Sequence, residues 1–185
     1  MKLNSKIVKI GMVIIAGLIL LGVVLSWGGD RRRELREMEE KTGLDLPRHE
    51  VYGYVDTHGG FFGDGDTVVT LTFSKEADER LREQMESLPY WNSLPMSANL
   101  HAFLYGGYVD GRASYQTMWV SEVDWPEIIQ GYWYLLDESS EVTGDGDEPE
   151  EDHNDANLFK RASFNVTVVV YDTETRTLYY YELDT

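Results

Sequence analysis

Residues 67–88, TVVTLTFSKEADERLREQMESL, decide the fold class because a strand pattern passes directly into a helix pattern. In the first seven residues, apolar residues alternate with threonines, which is typical of a strand with one buried face. Ser74 then stands where a helix N-cap is favoured, and Pro89 follows where a helix should end. Between them, apolar residues recur at helical spacing: Ala77, Leu81, Met85 and Leu88. The stretch therefore predicts a strand followed by a helix that covers one face of a sheet.

Further strands are predicted on both sides of this unit. Their sequences are apolar or aromatic runs bounded by turn residues, at 50–57, 100–105, 132–136, 163–171 and 177–183. The last two form a hairpin around residues 172–175, and Asp124 is placed to cap a short helix that ends near Gly131. The predicted fold class is α+β, with an antiparallel sheet of about five or six strands and one packed helix.

An apolar run precedes this domain. Residues 10–27, IGMVIIAGLILLGVVLSW, carry no charge over 18 positions. As a helix they cover about 27 Å, close to the ~30 Å hydrocarbon core of a bilayer. We therefore expect a single-pass transmembrane helix, in contact with the membrane over residues 7–27. The alternative is an export signal cleaved after Gly28, but the run is longer than the usual apolar core of a signal peptide.

Charge and composition divide the chain and exclude some partners. We expect an N-terminal tail and transmembrane anchor at 1–29, a juxtamembrane helical stalk at 30–43, and a soluble domain at 44–185 with a flexible acidic loop at 138–157. All 33 acidic residues follow the apolar run, and the net charge is −17. Nucleic acid is an unsuitable partner because phosphate binding needs a basic surface.

Three features bear on where the domain lies and on its chemistry. Lysines precede the apolar run and arginines follow it, so the positive-inside count is nearly balanced. A short lysine-bearing tail is difficult to translocate, which favours an extracytoplasmic domain at the cell membrane. The chain has no cysteine, so disulfides, thiolate catalysis and a lipoprotein anchor are excluded.

The most unusual segment of the domain is the glycine-rich loop 58–66, HGGFFGDGD. The candidate binding residues of this loop and of the preceding strand end are polar or aromatic: Asp56, His58, Phe61, Phe62, Asp64 and Asp66. One interpretation is a long hairpin turn whose aspartates cap backbone amides. A second is a divalent-metal site formed by the three aspartates and His58, since carboxylates and an imidazole suit several metals. A third is a substrate-binding loop with His58 as the general base.

Three motifs carry a resemblance: DTHGGFFGDGD, WPEI-x-x-GY and the closing YDTETRTLYYYELDT. Together they look like a group of small proteins, membrane-anchored or exported, from Gram-positive gut bacteria. The likeness covers most of the soluble domain. The group has no assigned activity or catalytic residues, so the resemblance implies localisation and an intact fold only.

Two classes of function follow from the sequence. The first is a noncatalytic module at the cell envelope that binds a protein, peptide or glycan, which the absence of H-E-x-x-H, G-x-S-x-G and cysteine favours. The second is a metal-assisted hydrolase that acts on envelope material through the His58–Asp66 loop. An immunity or assembly factor that works through the transmembrane segment is a further possibility. No cofactor is expected for the module.

Overall fold

The structure is a computed structural model that describes residues 31–58, 64–109, 112–114, 125–138, 153–155, 158–159 and 164–185. It divides into two compact units, Met1–Lys41 and Thr42–Thr185. The described residues of the first unit, 31–41, are helical, and the described part of this helix (α1) ends at residue 42. The predicted transmembrane segment lies outside the described residues. Among the residues that are described, no helix is long and apolar enough to cross a bilayer.

The second unit is built on a six-stranded antiparallel sheet. The strands in chain order are β1 (His49–Asp56), β2 (Gly65–Phe73), β3 (Trp91–Ser93), β4 (Gly107–Val109), β5 (Arg112–Ser114), β6 (Gly131–Asp137), β7 (Asn165–Asp172) and β8 (Thr177–Asp184). Across the main sheet their order is β1-β2-β8-β7-β6-β3, and every neighbouring pair is antiparallel. Strands β4 and β5 form a separate two-stranded sheet. The predicted α+β class and the strand number are confirmed.

The helix predicted within residues 67–88 is also confirmed. Helix α2 covers Lys75–Ser87, and the hydroxyl of its N-cap, Ser74, accepts a hydrogen bond from the N–H of Ala77. The apolar stripe of this helix is buried, while its remaining positions are mostly charged and exposed. Strand and helix therefore form here from local sequence patterns that tertiary packing reinforces.

Two predictions in the aromatic region are wrong. Residues 100–105 were expected to form a strand, but Ala98–Tyr105 is a helix (α3) that Ser97 caps by accepting the N–H of Leu100. This cap and the buried residues Leu100, Phe103 and Leu104 at i, i+3 and i+4 impose the helical period. The short helix expected after Asp124 is not formed, because residues 125–130 have no helical structure.

The two helices pack on opposite faces of the sheet. On the α2 face, the buried hydroxyl of Tyr171 in β7 donates a 2.7 Å hydrogen bond to the carboxylate of Asp78 in α2. On the α3 face, Phe103 packs against Tyr181 of β8, with ring centroids 6.5 Å apart. Because successive strand residues point to opposite faces, the inner strands β2, β6, β7 and β8 contribute buried residues to both cores. The sheet therefore has two packed helices, one more than the sequence predicts.

Gly131 controls the start of β6. Its φ angle is +147°, and a Cβ atom there would lie 1.7 Å from the carbonyl oxygen of Tyr171 in β7. Gly107, at the start of β4, has a similar φ of +139°, but the nearest atom to its added Cβ would be 3.9 Å away. Both positions favour glycine on backbone grounds, but only Gly131 lacks space for a side chain.

Replacing Gly131 by alanine is expected to destabilise the domain much more than replacing Gly107. Gly107→Ala carries backbone strain alone, about 1–3 kcal/mol. Gly131→Ala adds overpacking against β7, about 1–3 kcal/mol more. The measurement is denaturant unfolding of the full chain in detergent. Equal losses of stability in the two variants would contradict the close approach of β6 to β7.

Candidate functional site

The predicted loop residues lie where the β1–β2 hairpin closes. Asp56 ends β1 and His58 follows two residues later, while Asp64 and Asp66 flank the start of β2. Phe61 and Phe62 lie outside the described residues. Thr57 donates its N–H to the carbonyl of Asp66 at 2.9 Å, and its hydroxyl accepts the N–H of Asp66 at 2.9 Å. These reciprocal bonds fix the two ends of the loop.

Asp56 and His58 form a close pair on the α2 side of this hairpin. One carboxylate oxygen of Asp56 accepts the backbone N–H of His58 at 2.8 Å and lies 2.7 Å from Nδ1 of the His58 ring. The other oxygen accepts the Tyr54 hydroxyl at 3.1 Å. The Thr67 hydroxyl lies 3.3 Å from the same Nδ1. A carboxylate on one ring nitrogen orients the imidazole, so that the other nitrogen can contact a ligand.

Asp66 belongs to the opposite face. It accepts a 2.6 Å hydrogen bond from the hydroxyl of Tyr181, which is buried in the α3-side core. Burial and the nearby Asp66 carboxylate raise the pKa of Tyr181, so this hydroxyl stays protonated as the donor. Asp66 therefore stabilises the packing of β2 on β8.

The predicted cluster is divided by the alternation of strand residues. Asp56 is opposite Thr67 across β1 and β2, whereas Asp66 is the residue before Thr67 and points the other way. Among the residues that the structure describes, no three of His, Cys, Asp and Glu are grouped so that they could hold a metal ion. The geometry brings Asp56 and His58 together, and leaves Asp64 exposed and Asp66 on the far face.

The sequence prediction missed a surface on β1, which we call the β1 edge surface and define as Val51, Tyr52, Tyr54 and Val55. Among the strands that the structure describes, β1 pairs with β2 alone and so forms one edge of the six-stranded sheet. The exposed fractions are 57% for Val51, 40% for Tyr54 and 38% for Val55. The Tyr52 and Tyr54 rings are nearly parallel, with centroids 6.2 Å apart. The pattern EVYGYVDT predicts a strand, but only the order of the strands in the sheet shows that this strand lies at an edge.

Other exposed apolar side chains of the described residues are isolated. Tyr90, Tyr108 and Ile129 lie on separate segments of the chain. His153 stacks on Tyr90, and its Nδ1 lies 2.6 Å from the carbonyl oxygen of Leu135, so this imidazole is engaged within the domain. The β1 edge surface is therefore the largest run of exposed apolar residues along one element of the described chain.

The comparisons with known proteins give no relative. No protein-family model matches the chain, no curated protein matches it, and no solved structure matches it. The site is therefore interpreted from its own geometry.

The contact with His58 should lower the pKa of Asp56, and this effect can be measured. Partial burial raises the pKa of Asp56, but hydrogen bonds from the His58 backbone and ring and from Tyr54 together lower it below the ordinary value. Because the pKa is lower in the folded state, this contribution to stability is present above the unfolded pKa and is lost as pH falls through the folded pKa. His58→Ala keeps the backbone bond and loses the ring, so the pKa of Asp56 should rise part of the way.

The pKa is measured by NMR titration of the Asp56 carboxyl carbon in the full chain. Tyr54→Phe is the matched control, since it removes one neutral donor and should raise the pKa less. An unchanged Asp56 pKa in His58→Ala would show that the ring does not contact the carboxylate.

Proposed function

We propose that this chain is a single-pass membrane protein whose extracytoplasmic domain is a noncatalytic binding module at the cell envelope. The ligand is an extended segment of an envelope polypeptide, and it binds along strand β1. One observation carries the proposal: of the six large apolar side chains that are exposed among the described residues, three lie on β1, at the edge of the sheet.

The placement at the membrane is supported by the sequence. Residues 10–27 are uncharged and long enough to span a bilayer. The preceding lysines favour a tail that stays in the cytoplasm, and the resemblance of the DTHGG and YYYELDT motifs implies an anchored or exported protein. A strongly acidic domain held beyond such an anchor is repelled from anionic headgroups. This leaves its surface available to other envelope molecules.

The edge position favours a polypeptide over other ligands. An edge strand can accept a further strand through its outer side, and proteins usually prevent this with lysine, proline or a short strand. β1 has eight residues and contains neither lysine nor proline. Its exposed side chains lie on both faces, with Tyr54 on the α2 side and Val51 and Val55 on the other. An added strand would contact both sets, as in peptide recognition by strand addition.

A glycan has less support. Tyr52 and Tyr54 are stacked on each other, with an interplanar angle of 10°, so part of their ring faces is already covered. Sugar recognition by aromatic residues depends on ring faces that are open to the ligand. The β1 edge surface therefore suits a polypeptide strand better.

The metal-assisted hydrolase has one supporting feature, the Asp56–His58 pair with 2.7 Å between Oδ1 and Nδ1. The carboxylate that would extend this pair, Asp66, is bonded to Tyr181 on the opposite face. A catalytic metal site usually has three protein ligands. We therefore propose binding, and not hydrolysis, as the function of this hairpin.

The absence of cysteine allows a direct test, because one introduced thiol is unique. Val55→Cys, modified with a membrane-impermeant benzophenone maleimide on intact cells, should be labelled and should give a cross-linked adduct on illumination. Glu79→Cys is the control, since Glu79 is exposed and belongs to α2 and not to the sheet edge. It should be labelled equally, because both residues are outside the cell, and should give little adduct.

Two results would contradict the proposal. Labelling of both variants only after the cells are lysed would place the domain in the cytoplasm. Equal adduct from Val55→Cys and Glu79→Cys would show that the β1 edge surface is no preferred contact.

A further inference from the structure

We propose that the strand added to β1 is β1 of a second copy of this chain, antiparallel to the first, with a two-fold axis through Gly53. The inference rests on the proposed function of the β1 edge surface and names its partner. Two six-stranded sheets would then join edge to edge into one continuous sheet.

The sequence of β1 is nearly a palindrome. Residues 50–56 read EVYGYVD, so the sequence is almost the same in both directions from Gly53. A two-fold interface is self-complementary, which means that each residue faces the one at equal distance on the other side of the axis. Val51 would face Val55 of the second copy, and Tyr52 would face Tyr54. Matched pairs of this kind stabilise neighbouring antiparallel strands.

The backbone hydrogen bonds of β1 run in the directions that this pairing requires. Thr57 donates to the carbonyl of Asp66, and such bonds alternate along an antiparallel strand. The odd-numbered residues from Val51 to Thr57 therefore bond toward β2. In a pairing at the outer side of β1 these residues form the non-hydrogen-bonded pairs, whose Cα atoms are about 4.5 Å apart. Side chains are closest in such pairs.

The exposure of the β1 side chains supports the same pairing. Val51 and Val55 lie on the same side of β1, and both are exposed. Facing their counterparts across the axis, they would form two Val51–Val55 pairs, one on each side of Gly53, and the valines of each pair would leave water together. On the other face, Tyr54 would extend the Tyr52–Tyr54 ring pair into a row shared by both copies. The symmetric pairing therefore covers the three exposed large apolar side chains of β1.

Gly53, the residue on the proposed axis, also lies close to a side chain of its own domain. A Cβ atom at Gly53 would lie 2.3 Å from the hydroxyl oxygen of Thr70 in β2. A side chain at this position would therefore force Thr70 to move. At the axis, glycine faces glycine, so the contact between the two strands is formed by the Val51–Val55 pair on either side of it.

Charge sets the strength of the association. Glu50 and Asp56 flank the central five residues, so carboxylates of the two copies meet at both ends, and each chain carries a net charge of −17. Like charges weaken the pairing, and salt screens them. The proposed anchor compensates because two domains on one membrane have a high effective concentration. A basic peptide partner would show the reverse, with binding that weakens as salt rises.

The register can be tested with cysteine pairs. In membranes, the double variant Val51→Cys/Val55→Cys should form a disulfide-linked dimer under mild oxidation, since a Cα separation of about 4.5 Å is within disulfide range. Either single variant should give several-fold less dimer, because equal-numbered residues would lie about 13 Å apart along the strand. Glu79→Cys/Glu83→Cys, both exposed on α2, reports random collision and should match the single variants.

In a second measurement the cysteine is on α2, so that no cysteine lies in the proposed β1–β1 pairing. Energy transfer between copies labelled at Glu79→Cys should be present, should increase with salt, and should be lost when Val55→Lys is added. Val55 is exposed at the sheet edge, so the lysine variant should keep the circular dichroism and melting temperature of the parent.

The outcomes separate this inference from the proposed function. Equal dimer yields from the single and double variants, or energy transfer that persists in Val55→Lys, would overturn the two-fold pairing. If the photo-adduct of Val55→Cys contains another polypeptide and no second copy, this inference fails and the proposed function stands. If Val55→Cys gives no adduct above its control, both fail.

Discussion

The pairing of β2 with β8 is the constraint on which the domain depends. It joins the N-terminal hairpin to the C-terminal one through eight residue pairs, from Gly65 with Asp184 to Thr72 with Thr177. The last strand of the chain therefore lies inside the sheet, and the first strand lies at its edge. The Tyr181–Asp66 hydrogen bond links the same two strands through their side chains. The edge position of the β1 edge surface follows from this strand order.

The same pairing explains why the glycine-rich loop does not form one cluster. β2 enters the sheet with Asp66 and Thr67 on opposite faces, because neighbouring residues of a strand alternate. Asp66 supports the α3-side core through Tyr181, while Asp56 and His58 remain at the α2-side surface with Tyr54. A row of carboxylates that looks continuous in the sequence is thus divided between a structural role and a surface pair.

Local patterns predicted much of the fold. The alternation in residues 67–73, the Ser74 cap and the closing hairpin all lie within short stretches, and their structure follows from those stretches. The strand prediction for residues 100–105 failed because the apolar pattern of LHAFLY fits both a strand and a helix. The Ser97 cap and packing on the sheet favour the helix. The β1 edge surface could not be predicted, because exposure of Val51 and Val55 depends on strand order. That order results from contacts more than one hundred residues apart in sequence.

The most direct test of the account is hydrogen exchange of the full chain in membranes at low and at high protein density. At low density, residues 49–56 should exchange faster than residues 177–184, since an edge strand is less protected than an internal one. At high density, exchange of residues 49–56 should slow while that of residues 177–184 stays the same. An exchange rate of residues 49–56 that does not change with density would contradict the pairing of β1 with a second strand.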